Sequence, residues 1–372
     1  MADVDGGAEA QVLEVARRDF KDLVPTSRPR AQSMRGFDPI YTDIVDYIVR
    51  CTHRIWDERD VGLIYTHYTH NAVMYGALTT LYDREEVVRD TIQRIAEMPD
   101  RRGMATQVVW SGNDADGFYT SHLVTSTGRH TEMGRYGKPT GRRFAMRTVA
   151  DCRVFENRIY REWLVRDSMA LVQQLGLDAH ALAAQMAKDL LDRGVTTVEI
   201  AENGRAPGQY PPPEEADASL ARSETEAWCL RWMHQAYNRK MFGVLREVYA
   251  PNVQWHGPPM RELFGRMAVL HQTMRLFAML TDASFVPQHV CSVATAEGGE
   301  LVAVRWIIDG HHLGWGTLGA PTGQRVCVMG MTHLHVIDRR VVDDWTVYDE
   351  LAMLAQVKLG QMQAPATDRS LD

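Results

Sequence analysis

The sequence predicts an α+β fold built twice along one chain. Three observations carry that expectation. Slid on itself by 182 residues, so that Gly128 meets Gly310, the chain aligns "GKPTGRRFAMRTVADCRVFENRIYREWLVRD" with "GAPTGQRVCVMGMTHLHVIDRRVVDDWTVYD" without a gap. Each half opens with helical spacing and continues as adjacent strands, the order of an antiparallel sheet wrapped on helices. Between the halves stands "ENGRAPGQYPPPEEADA", whose Pro, Gly and acidic residues read as an exposed linker.

The repeat is dense. Gly128, His130, Gly134 and Gly137 fall on Gly310, His312, Gly316 and Gly319, and Trp163, Val165 and Asp167 fall on Trp345, Val347 and Asp349. With one residue less of offset, His53, Gly62, Tyr68, Asn71 and Gly76 meet His234, Gly243, Tyr249, Asn252 and Gly257. The period is far longer than the roughly 20–50 residues of a solenoid repeat, so the units are domains. The expected boundaries are a tail over 1–36 with a short helix around "QVLEVARRDF", a first domain over 37–178, a helix and Pro-rich linker over 179–218, a second domain over 219–362, and a tail over 363–372.

In the first unit, "YTDIVDYIVRCTHRIW" places Ile44, Tyr47, Ile48, Cys51 and Ile55 on one helical stripe. A short strand "AVMYG" follows, then a second helix "DREEVVRDTIQRIAEM". Thr, Val, Tyr and Phe then mark "FYTSHLVTS", "RRFAMRTVADCRVF" and "RIYREWLV" as strands. The second unit repeats the order with "TEAWCLRWMHQAY", "VQWHG", "GRMAVLHQTMRLFAML", "ELVAVRWIID", "QRVCVMGMTHLHVI" and "RVVDDWTV". No GxGxxG or GxxxxGK[ST] fingerprint follows a strand, so nothing supports a nucleotide fold.

Composition excludes several partners. The 372 residues are 45% hydrophobic and 24% charged, with a net charge of -7 and no basic run, which argues against nucleic acid. No apolar run approaches the roughly 20 residues of a membrane span. The five cysteines are scattered without a CxxC pair, as expected of reduced thiols in a cytoplasmic protein, and no metal site is expected.

A strand ending in "VQWHGPP", a helix, "PTG-R" opening a long strand, and "EWLVRDSMALVQQLG" together resemble the SnoaL-like polyketide cyclase family, of the nuclear-transport-factor-2-like superfamily. The resemblance spans both units. It implies two tandem cone-shaped curved antiparallel sheets, each closed by N-terminal helices around an apolar pocket. It also implies no cofactor, a small-molecule substrate, and an intramolecular pseudo-dimer, with a homo-oligomer as a further option. One departure stands out. The cyclases carry His-Trp-Asp on the last strand, with the Asp as acid/base; here Leu164 and Thr346 follow the tryptophans, and Glu162 and Asp344 precede them.

Alternation puts Glu162, Leu164 and Arg166, and likewise Asp344, Thr346 and Tyr348, on the cavity face of the resembled fold. A carboxylate in such a cavity has a raised pKa, which suits a general base or acid. In the plainer reading each is a strand-edge acid in an ion pair, Glu162 with Arg161 or Arg147. His256, with Tyr75 as its counterpart, stands where a strand ends at the pocket mouth and is a further catalytic candidate, or else a satisfied structural histidine. Trp232, His234, Tyr237 and Trp255 are expected to line the second cavity beside Thr346, and Arg147 and Arg166 the first. Asp167 and Asp349 precede apolar helical patterns and read as helix caps. Trp163 and Trp345 read as packing residues, and the "THLH" pair His333 and His335 as facing away from the cavity. The leading functional expectation is a cofactor-independent acid/base enzyme of the lyase, isomerase or cyclase type, acting on a small apolar, aromatic or polycyclic substrate. The rival is a non-catalytic binding or interaction protein of the same fold.

Overall fold

The computed structural model describes residues 12, 14, 15, 29–199, 212 and 214–363. Most of "QVLEVARRDF" lies outside the described residues. The first copy opens with α1 (Ile44–Trp56), whose N-cap Asp43 accepts from the backbone N–H of Asp46. A single turn, α2 (Ile64–His67), leads into β1 (Tyr68–Tyr75) and the short β2 (Thr80–Tyr82). Helix α3 (Arg84–Glu97), capped by Asp83, precedes β3 (Arg102–Asn113), β4 (Gly117–Arg129), β5 (Arg143–Phe155) and β6 (Arg158–Arg166). Helix α4 (Ser168–Leu175) ends the copy, and α5 (Ala179–Asp192) connects onward.

The second copy repeats the order. It comprises α6 (Glu224–Met233), α7 (Leu245–Val248), β7 (Tyr249–Gly257), β8 (Arg261–Phe264), α8 (Arg266–Met279), β9 (Ser284–Ala294), β10 (Glu300–His311), β11 (Arg325–Ile337), β12 (Arg340–Tyr348) and α9 (Glu350–Gln363). A π-helical turn over His234–Asn238 extends α6 where the first copy stays α-helical.

The strand orders match, β2-β1-β6-β5-β4-β3 and β8-β7-β12-β11-β10-β9. Each sheet is antiparallel except for one parallel pair, β1 with β6 and β7 with β12. Three reversals from β3 bring β6 back into the direction of β1, so the curved sheet is mixed. Strands β3 and β9 are additions to the sequence expectation. Both are edge strands. Pro287 sits inside β9, a residue that sheets tolerate only at an edge, and it disguises the strand pattern.

Each sheet buries both faces. One face packs on the copy's own helices, with Ile48, Val87, Val154 and Ile159 in the first core and Leu230, Val269, Val304 and Leu334 in the second. The other face packs on the opposite sheet, where Val109, Leu123 and Trp163 meet Ile307, Cys327 and Met329. Cationic side chains cross this interface: the Arg147 guanidinium lies 4.9 Å from the Trp345 ring centroid, and that of Arg305 lies 3.4 Å from that of Trp163. His333 also crosses it, with Nε2 2.7 Å from Ser121 Oγ and Nδ1 3.2 Å from Gln107 Oε1. No helix among the described residues is long and apolar enough to cross a membrane.

Candidate active site

The helix-facing side of each sheet encloses a cavity, and each cavity holds one buried carboxylate on the last strand. In the second copy, β12 pairs with β7 so that Asp344 stands beside Trp255, and both line the cavity. Asp344 Oδ2 accepts from Tyr249 Oη at 2.6 Å, and Oδ1 accepts from Thr346 Oγ1 at 2.7 Å. Thr346 Oγ1 lies 2.9 Å from Thr332 Oγ1, which accepts from Trp306 Nε1 at 3.0 Å. Burial pushes the Asp344 carboxyl up to about 7, against the opposing pull of the Tyr249 and Thr346 hydrogen bonds. Around it stand the rings of Tyr237, Trp255, Phe277, Phe285 and Trp306, enclosing about 40 Å³.

The first copy repeats the dyad. Tyr68 Oη donates to Glu162 Oε2 at 2.9 Å, and burial raises the Glu162 carboxyl to about 7. Its surroundings differ. The cavity, about 60 Å³, is lined by Arg101, Asp90, His122, Thr148 and Arg166 among apolar side chains. One pair of neighbouring strands explains much of the contrast. Val124 faces Thr148 in the first copy, and Trp306 faces Gly330 in the second. A Cβ on Gly330 would lie 2.2 Å from the Trp306 ring, so the indole needs glycine opposite it.

Glu162 and Arg166 line the first cavity, and Trp255, Tyr237, Asp344, Thr346 and Tyr348 line the second. Five expectations are corrected. His256 follows cavity-facing Trp255 on β7, so alternation turns its ring to the inter-sheet face. There it stacks on Trp345 at 3.7 Å, contacts Glu262, and sits 3.0 Å from Asp343 Oδ1. Burial disfavours its charged form, but Asp343 and Glu262 outweigh burial and raise its pKa. Tyr75 turns outward for the same reason and stacks on Trp163. Arg147 faces the interface too, where it pairs with Glu262 and not with Glu162. Trp232 packs behind the second cavity against Tyr237 and Tyr249 without lining it. His234 lies in the π-helical turn with Nδ1 3.1 Å from Asn238 Nδ2, also outside the cavity lining.

Tyr68, Tyr249, His122 and Trp306 are site residues that the sequence reading did not single out for chemistry. The signal for two of them was present, because Tyr68 and Tyr249 coincide in the repeat. Asp167 and Asp349 cap α4 and α9: Asp167 Oδ1 accepts from Ala170 N at 3.3 Å, and Asp349 Oδ1 accepts from Leu351 N at 3.0 Å. Their second oxygens tie the copies together, accepting from Met260 N at 2.7 Å and from Ser168 Oγ at 2.6 Å. Among the described residues, no group of three or more His, Cys, Asp or Glu side chains is arranged to hold a metal ion.

One family matches the chain twice, once for each copy. The SnoaL-like polyketide cyclase family matches residues 47–175 and again 227–357. Among solved structures, IdmH of Streptomyces antibioticus, named as a candidate polyketide cyclase, is 26% identical with a TM-score of 0.31, covering 36% of this chain and 99% of its own. AclR of Streptomyces galilaeus, named as a candidate hydroxylase, is 23% identical with a TM-score of 0.32, covering 38% of this chain and 98% of its own. A SnoaL-like protein of Jannaschia sp. CCS1 is 22% identical with a TM-score of 0.33, covering 39% of this chain and 98% of its own. No curated protein matches the chain. The two matched regions together span more than half of the chain, which therefore belongs to the SnoaL-like polyketide cyclase family and carries two copies of its domain in tandem.

Proposed function

We propose that the second copy is a cofactor-independent acid/base enzyme of the isomerase, lyase or cyclase type, acting on a small apolar substrate. The supporting observation is Asp344, a buried carboxylate on an aromatic-lined cavity whose pKa stands at about 7. A group with that pKa takes and returns a proton near neutral pH with little bias. In the proposed step Asp344 removes a proton from a carbon next to a carbonyl. The C–H electron pair becomes the new carbon–carbon π bond, the C=O π pair moves onto the carbonyl oxygen, and the proton resides on Asp344 until it is delivered elsewhere on the substrate or to a leaving group. We assign the oxyanion-stabilising role to the hydroxyl of Tyr348, which lines the same cavity. The cavity volume of about 40 Å³ favours a small substrate over a polycyclic one.

One observation favours the rival reading of a binding site without chemistry: both Asp344 oxygens already accept hydrogen bonds within the protein. Deuterium exchange separates the two. Small cyclic ketones are incubated with the protein in D₂O and followed by NMR. The enzyme reading expects exchange at the activated carbon, lowered by roughly 10²–10⁴ in Asp344→Asn. Ketones that bind without any exchange support the binding reading.

A further inference from the structure

We propose that the cavity of the first copy is a second, separate site that binds a small carboxylate bearing an apolar body. The inference goes beyond the acid/base reading of the second copy and does not depend on it. Its first support is unmet hydrogen-bonding capacity. His122 is 2% exposed and lines the cavity, yet among the described residues its Nε2 has no hydrogen-bond partner, and Thr148 Oγ1 on the same cavity wall has none either. Leaving a buried polar atom unpaired costs about 1–3 kcal/mol, a cost that a ligand group can remove. Burial holds the His122 imidazole down to about 4, so it stays neutral at physiological pH.

The second support is the balance of charge. Arg101 and Arg166 both reach the cavity. Burial, with the positive charges of Arg94 and Arg101 nearby, pushes the Arg166 guanidinium down to about 9. Asp90 pulls the other way, but its carboxylate is already held by Arg94 at 2.6 Å and lies 3.6 Å from Arg135. The cavity's other carboxyl, Glu162, is engaged by Tyr68 at 2.9 Å and raised by burial to about 7, so two arginines face one acid that is only partly ionised at neutral pH. A planar guanidinium suits a planar carboxylate, which it can receive with two parallel hydrogen bonds. Ile48, Ile55, Ile64 and Val87 supply apolar wall for the rest of the ligand.

The third support is the contrast between copies. The repeat register puts Val304 where the first copy has His122, Gly330 where it has Thr148, and Tyr348 where it has Arg166. The polar set is thus absent from the second cavity as a group, while the Tyr–carboxylate dyad is present in both. Two cavities that keep one dyad but exchange His122, Thr148 and Arg166 for Val304, Gly330 and Tyr348 are built for different ligands.

The test is calorimetric titration of the full chain with propionate and, separately, with 1-propanol, which keeps the carbon chain and lacks the charge; both are small enough for a cavity of about 60 Å³. Propionate is expected to bind more tightly than 1-propanol. Arg166→Met should weaken propionate by roughly tenfold or more, the worth of a charge-assisted contact, and leave 1-propanol unchanged. Arg101→Met provides a second route should Arg166→Met fail to fold, and His122→Val, which installs the second copy's residue, should weaken both ligands. Asp344→Asn should leave propionate binding as it is, so failure at one cavity is not mistaken for failure at the other. Equal affinity for the two probes, no propionate binding, or propionate binding that survives both arginine substitutions would overturn the proposal.

Discussion

Tyr249 donates a hydrogen bond to Asp344 at 2.6 Å, from strand β7 to strand β12 across the floor of the second cavity. Tyr68 and Glu162 repeat it in the first copy at 2.9 Å, although the carboxylate there is one methylene longer. The pairing solves a physical problem that both cavities share. A carboxylate removed from water needs a donor, and the tyrosine hydroxyl supplies one from a ring that is itself good cavity wall. The result is an acid that stays buried and still titrates near neutrality.

The pH profile should report this pairing. The Tyr249 hydrogen bond favours the ionised form of Asp344, so removing it raises the carboxyl pKa further. With Asp344 as base, the acidic limb of kcat/KM should fall near pH 7 and move to higher pH in Tyr249→Phe, by roughly one unit. An unmoved limb would separate the dyad from the chemistry.

Stability should carry the same signature with a definite sign. The folded-state pKa values of Glu162 and Asp344, about 7, lie above the ordinary values of 4.5 and 3.8. Ionisation is therefore penalised in the folded protein. The penalty is absent below about pH 4, grows up to pH 7, and is complete above it. Asp344→Asn and Glu162→Gln should each raise the melting temperature at pH 8, by an amount on the order of 1–3 kcal/mol of stability. The gain should vanish as the pH falls toward 4. Thermal melts at the two pH values decide it.

His256→Ala should leave turnover unchanged, because the ring points to Asp343 and Glu262 on the inter-sheet face. Its raised pKa gives stability that is present below the ordinary histidine pKa of 6.5 and lost as the pH rises through the folded value. The variant should be destabilised at pH 6 and less so at pH 9. A large loss of turnover with intact folding would return His256 to the active site.

Proton transfer by Asp344 needs no bound ion. Activity, once measured on a ketone that exchanges, should survive prolonged treatment with EDTA. Loss that one added divalent ion restores would replace the mechanism.

Some of this was legible in the linear chain. The repeat declared two α+β units, the acids before the helical patterns declared caps, and alternation along "EWLVRD" and "DWTVYD" put Glu162 and Asp344 on the cavity face with Arg166 and Tyr348. The phase of β1 and β7 was not legible. A sheet with one face in water advertises its phase through polar and apolar alternation, but these sheets bury both faces, one on helices and one on the other sheet. "VQWHG" therefore reads equally well with Trp255 or His256 inward, and only the parallel pairing with β12 settles that Trp255 stands inside. The same holds for Tyr75 and Arg147, whose partners Trp163 and Glu262 belong to the inter-sheet face. Tyr249 and Asp344 lie 95 residues apart, and Tyr68 and Glu162 lie 94 apart. Local sequence dictates period and face for one strand at a time; which side chains meet across a cavity depends on strand pairing, and that is a property of the folded chain.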